Sequence, residues 1–106
     1  MPEKTFPPWY NFIKEKHGGF LEAVEGLGET VRKSGPLEAK TTHLIHLAAA
    51  AAIRSQGSVH SHTRRALQAG ATPEEIVHAL ILLTSTIGFP NVSAALSWSY
   101  DVMGQK

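Results

Sequence analysis

The 106-residue sequence contains no cysteine. This absence excludes disulfide bonds, metal sites built from thiolates and catalysis through a thiol nucleophile. It leaves the redox compartment undetermined, because a chain without cysteine folds equally well in reducing and oxidising surroundings.

Long hydrophobic runs and clusters of charge are also missing. The longest apolar run, Leu47 to Ile53, is far shorter than the roughly 20 residues that a helix needs to cross a bilayer. The first residues, MPEKTFPPWYNF, lack the apolar centre of a signal peptide. Lys and Arg number 10 against 9 Asp and Glu and are spread along the chain, so no basic surface for nucleic acid is indicated. We therefore expect a cytoplasmic protein that binds neither membrane nor nucleic acid.

Strand patterns are nearly absent, whereas Ala and Leu recur at helical spacing. Glycine and proline divide the chain into about five to six helices, which predicts one all-α domain over residues 1–106. Ser58 is the expected N-cap of a helix that ends at Gly70, and Thr72 and Glu75 predict a capping box for the next one. That next helix, over 73–87, is apolar on most faces, so we expect the domain or a neighbouring chain to bury it. The other clear helices are predicted over 38–54 and after the break at 88–90.

Histidine is the residue type with the most chemical potential in this sequence, and it occurs at positions 17, 43, 46, 60, 62 and 78. His43 and His46 share one helix face, whereas His60 and His62 point about 200° apart on theirs. Ser58 lies one turn before His62. Three interpretations stay open: hydrogen-bonded structural residues, acid–base residues, or a metal site made by His43, His46 and His62. The helix start near Ser58 also favours a bound anion, because its N–H groups and dipole point outward there.

Three stretches of the chain resemble a known family. The segment His62 to Ile76, HTRRALQAGATPEEI, is similar to the most characteristic segment of the carboxymuconolactone decarboxylase family, which includes the alkylhydroperoxidase D-like proteins. The segment Leu37 to Leu47, LEAKTTHLIHL, resembles the helix before the family's active motif, and Gly88-Phe89-Pro90 resembles its glycine–x–proline turn. The resemblance implies an alkylhydroperoxidase D-like helical bundle around an antiparallel helical hairpin. It also implies trimers or hexamers with buried helices at the subunit contacts.

The resemblance also places a candidate site. Peroxidase-type members carry a Cys-x-x-Cys pair before the histidine and a glutamate on the preceding helix. Aligned on His62, Ser55 and Ser58 occupy the two cysteine positions and His43 occupies the glutamate position. Decarboxylase-type members lack the cysteine pair and keep the histidine, so the resemblance implies a possible cofactor-free lyase of this second type.

We therefore expect a small, anionic organic ligand and a site made of His62, His43, Ser58 and Ser55. In this hypothesis His62 exchanges a proton with the ligand and His43 orients the His62 ring. The two serines donate hydrogen bonds. No cofactor is expected, and the metal site at His43, His46 and His62 is the weaker alternative. Two other functions stay open: the family's peroxidase activity carried over by homology, and a non-catalytic oligomeric binding or scaffold protein.

Overall fold

The computed structural model of the protein describes residues 8–104, and all regular secondary structure within them is helical. Six helices have nine residues or more, and α6 is a single turn: α1 Pro8–Lys16, α2 Gly18–Arg32, α3 Ala39–Ala52, α4 Gln56–Gln68, α5 Pro73–Ile81, α6 Thr84–Ile87 and α7 Phe89–Met103. This architecture confirms the predicted all-α fold class. Residues 1–7, which begin the segment inspected for a signal peptide, lie outside the described residues, as do 105–106. Across the described part of the chain, no helix is both long and apolar enough to traverse a bilayer.

The chain divides between Pro36 and Leu37 into two compact units. In the first unit α1 contacts α2, and the Tyr10 hydroxyl donates a hydrogen bond to the Glu25 carboxylate. One face of α2 carries four apolar side chains about one turn apart, and each of them is 47% to 63% exposed. This α2 stripe consists of Phe20, Val24, Leu27 and Val31. The prediction of one domain over residues 1–106 stays a prediction.

The second unit is built around the hairpin of α3 and α4, which are joined by residues 53–55. Helix α7 packs against both arms of the hairpin, and α5 packs against α3, α4 and α7. The buried core is rich in alanine, which lets the helices approach closely. It consists of Leu47, Ala50, Ala51, Val59, Ala66, Ala71, Ile76, Leu80 and Ala95. The hairpin therefore forms the centre of this unit, and it carries every residue of the predicted site.

The turn between α4 and α5 follows the local sequence signals closely. Gly70 has φ +103°, a conformation that glycine adopts readily, and the Ala71 N–H donates back to the Ala66 carbonyl at 2.9 Å. The Thr72 hydroxyl oxygen then accepts from the Glu75 N–H at 3.1 Å, while the Glu75 carboxylate accepts from the Thr72 N–H at 2.9 Å. The predicted end of α4 near Gly70 and the predicted capping box are both confirmed.

The single helix predicted over residues 73–87 is wrong, because the structure contains two shorter helices there. Helix α5 ends at Ile81 and α6 begins at Thr84. The Thr84 hydroxyl donates to the Ile81 carbonyl at 2.8 Å, and the Leu83 N–H reaches back only three residues to the Leu80 carbonyl at 3.0 Å. A side-chain donor and a tightened turn thus replace the regular helical bonds at this point.

Burial along this segment is one-sided. Ile76 and Leu80 are completely buried, whereas Ile81 is 50% and Leu82 63% exposed. The described chain therefore covers one side of the apolar segment that was expected to be buried all round.

Candidate functional site

Helix α3 carries the first two candidate side chains. His43 and His46 lie about one turn apart, and their ring centroids are 6.3 Å from each other with the ring planes at 46°. His43 is only 9% exposed, while His46 is half-buried. Leu47 and Ala50 on the same helix are part of the buried core, so the orientation of α3 is set by packing next to both histidines.

Helix α4 adds the third imidazole. The His62 ring centroid lies 5.8 Å from that of His43, with the planes at 34°, and 4.9 Å from that of His46, with the planes at 13°. The last pair is stacked. The three rings form one group across the α3–α4 contact, which we call the histidine cluster. The Nδ1 atoms of His43 and His62 are both buried.

The opposite side of α4 faces α7. His60 Nε2 lies 2.9 Å from the Asp101 carboxylate, and the fully buried hydroxyls of Thr63 and Ser99 are 2.8 Å apart. His60 therefore belongs to a different surface from His62, as their predicted divergence on the helix requires. The predicted separation of these two histidines is confirmed.

The two serines lie at the first turn of α4, but the cap is not where the sequence predicted it. Ser55 is the N-cap, with φ −99° and ψ 99°, and its side chain accepts from the Ser58 N–H at 3.3 Å. The Ser55 carbonyl also accepts the Val59 N–H at 2.9 Å. The prediction of Ser58 as N-cap is wrong because the helix already begins at Gln56, and Ser58 is its third residue. Both serines are half-buried, and Ser58 lies one turn before His62.

The histidine cluster is suited to proton exchange and to a negatively charged ligand. Imidazole is the side chain that gains and loses a proton near neutral pH. Two unit charges about 5 Å apart repel by about 3 kcal/mol at an effective dielectric constant of about 20, and water around half-buried rings reduces this value. A negatively charged ligand beside these rings would offset the charge of a protonated imidazole.

The position of His46 is what the sequence reasoning missed. It was considered only as a possible metal ligand, yet its ring is closer to that of His62 than the ring of His43 is. Its i, i+3 relation to His43 was the available signal, because it places both rings on the face that meets α4. Within residues 8–104 no group of three or more His, Cys, Asp or Glu side chains is arranged to hold a metal ion.

The helical fold agrees with comparison to known proteins. The sequence model of the carboxymuconolactone decarboxylase family matches residues 18–101, so the chain belongs to this family. A relative from Methanocaldococcus jannaschii, "Uncharacterized protein MJ1511", is 28% identical over 94 residues, which cover 89% of this chain and 88% of that relative. That name states no activity, so the chemistry has to be argued from the site.

Proposed function

We propose that the protein binds a small organic carboxylate beside the histidine cluster and exchanges a proton with it through His62. The observation that supports this proposal best is the convergence of three imidazoles from two helices, with centroids 4.9 to 6.3 Å apart. Scattered surface histidines would not produce such a group, and imidazole is the usual acid–base residue of enzymes. The family membership of the chain is consistent with this chemistry.

The start of α4 supplies the complementary half of the proposed site. The N–H groups of the first turn and the helix dipole favour negative charge there. Ser55 and Ser58 lie at this turn, and a hydroxyl at either position can donate to a carboxylate oxygen. The proposed roles are proton exchange by His62, orientation of His62 by His43, and ligand binding by the two serines.

The reaction class that fits these groups is a cofactor-free decarboxylation. The bond between the substrate carbon and its carboxylate breaks, carbon dioxide leaves, and the electron pair stays on the substrate as an enolate-like anion. Protonated His62 then donates its proton to that carbon, so that atoms and charge balance without an oxidant. A peroxidase reaction through a thiol has no nucleophile here, because the sequence contains no cysteine.

The test uses a panel of small carboxylates that includes carboxylated lactones. We expect at least one compound to raise the unfolding temperature of the wild-type protein, and carbon dioxide release is then measured for each binder. His62→Gln should abolish turnover. The matched control is His60→Gln, since His60 lies two residues away on the same helix but contacts Asp101 instead. Equal turnover in the two variants would refute the role of His62.

A second experiment tests the start of α4 without any knowledge of the substrate. The thiol introduced by Ser58→Cys should have a lowered pKa and react quickly with iodoacetamide at neutral pH, because helix N-termini stabilise thiolates. The control is Ser97→Cys, which places a thiol at an exposed position within α7. The proposal expects the faster reaction at position 58 although that site is less exposed. A slower reaction there would argue against an anion site at this turn.

We also propose that the chain self-associates, with the trimer or hexamer typical of its family as the expected form. The α2 stripe supports this, because four apolar side chains about half exposed on one helix face are the pattern of a helix that packs against another chain. Leu27→Glu should lower the mass measured by light scattering after gel filtration. Glu29→Gln, on the exposed charged side of the same helix, should leave the mass unchanged. A monomeric wild-type protein would contradict this second proposal.

A further inference from the structure

The contact between His46 and His62 differs in kind from the other two contacts in the histidine cluster. Its centroid distance of 4.9 Å is the shortest of the three, and its interplanar angle of 13° is the smallest. The two rings come from different helices, so this stack crosses the contact between α3 and α4. The resemblance to the family assigns position 46 no role, so the evidence for the stack is the ring geometry of this chain.

Stacking restricts the outer side-chain torsion of His62, which the α4 backbone does not fix. The outer torsion of a histidine side chain has a broad energy profile, so the backbone of α4 alone does not fix the plane of the imidazole. A flat ring lying against one face of His62 restricts that torsion, and offset stacking of this kind is favourable in itself. The nitrogen atoms lie at the edge of the ring, so a stack on the face leaves the acid–base atoms in place for other contacts.

The supporting ring is itself held firmly. His46 precedes the fully buried Leu47, and Ala50, one turn further on, is also in the core. Helix α3 therefore cannot easily rotate, and the half-buried ring of His46 provides a fixed surface. Proton transfer requires a catalytic group to be held within roughly 10–20° of its productive orientation, which is the precision that such a support can give.

We propose that His46 is a positioning residue, whose ring fixes the plane of the His62 imidazole by stacking while its nitrogen atoms are not needed. This inference rests on the proposed role of His62. It makes a specific distinction, because a flat apolar ring at position 46 should serve as well as histidine. A residue that shares or relays the proton could not be replaced in that way.

The experiment compares His46→Phe with His46→Ala and uses the ligand-free protein. The ring protons of His62, assigned by their loss in His62→Gln, are followed by NMR. In the wild-type protein and in His46→Phe they should show the upfield shift that a stacked ring causes, and in His46→Ala this shift should disappear. Far-UV circular dichroism checks that each variant is folded, and His46→Gln serves as the ringless variant if the alanine variant is not.

Turnover provides the second measurement once a carboxylated lactone or another carboxylate from the panel is found to react. His46→Phe should retain most of the wild-type kcat, whereas His46→Ala should lose it with little change in KM. If His46→Phe loses the upfield shift, or keeps it but is as inactive as His46→Ala, the positioning role is wrong. The NMR result needs no substrate, so failure of the stacking inference and failure of the proposed decarboxylation are told apart.

Discussion

Two buried hydroxyl groups join the site helix to its neighbour, and their replacement gives the sharpest test of the packing. Thr63 on α4 and Ser99 on α7 are both 0% exposed, and their hydroxyl oxygens are 2.8 Å apart. Thr63→Val keeps the shape of the side chain but leaves the Ser99 hydroxyl in the core without this partner. Such a loss costs about 1–3 kcal/mol. We expect the lower half of that range, because a helical serine can instead donate to the carbonyl one turn back.

The double variant Thr63→Val with Ser99→Ala removes both hydroxyls together. Because no buried hydroxyl is then left over, its cost should be smaller than the sum of the two single costs by about 1 kcal/mol. Urea unfolding at one fixed protein concentration gives the free energy of unfolding of the wild type, the two single variants and the double variant. In a thermal melt of the same proteins, each kcal/mol corresponds to a shift of roughly 4–8 °C in unfolding temperature. Ser97→Ala is the control, since the exposed Ser97 hydroxyl donates to the Ala94 carbonyl of its own helix. Strictly additive costs would show that the two hydroxyls do not form a coupled bond.

Three further predictions concern turns and caps. Arg54 has φ +60°, so Arg54→Gly should be more stable to urea than Arg54→Ala by about 1 kcal/mol; equal stabilities would mean that the backbone there is not strained. Gly70→Ala should lower the free energy of unfolding by about 1 kcal/mol because Gly70 has a φ of +103°. Gly57→Ala, within α4, should be neutral or stabilising. Neither added methyl group has a neighbour within 4 Å, so the difference comes from the backbone conformation and not from a clash. The hydrogen bond from the Thr72 N–H is the main cause that lowers the pKa of Glu75. Its stabilising effect is therefore present above the ordinary glutamate pKa of 4.5 and lost as the pH falls through the lowered value, and acid unfolding of Glu75→Gln should lack this component.

The sequence predicted the fold well wherever the determining contact is local. The capping box at Thr72 and the glycine turn at Gly70 each depend on residues within a few positions of one another, and both formed as expected. The break after Ile81 was missed because its cause, a threonine hydroxyl donating back to a carbonyl, competes with an otherwise good helical pattern. The N-cap was placed at Ser58 instead of Ser55 because both residues are good caps, and only the backbone conformation separates them.

The candidate site was less predictable because its geometry depends on two helices. Helical spacing alone showed that His60 and His62 diverge, and the Asp101 contact of His60 agrees with that. Spacing could not show which histidine of α3 would meet His62. His43 and His46 are both on the correct face, and the angle and distance between α3 and α4 decide that His46 stacks while His43 stays tilted. The roles of the two serines and of His43 stay predictions.

Helix α4 contacts α7 on one side and meets α3 with His62 on the other. His60 and Thr63 attach it to α7, while His62 meets α3. A side-chain tip lies about 5–6 Å from the helix axis, so a rotation of about 10° moves it by about 1 Å, and a displacement of that size can reduce a catalysed rate by about a hundredfold. We therefore expect the buried hydroxyl pair to limit rotation of the helix, while the proposed stack limits rotation of the ring. Ser99 lies on α7, whereas the histidine cluster lies on α3 and α4. Replacing Ser99 should therefore shift the position of the His62 ring by allowing α4 to rotate.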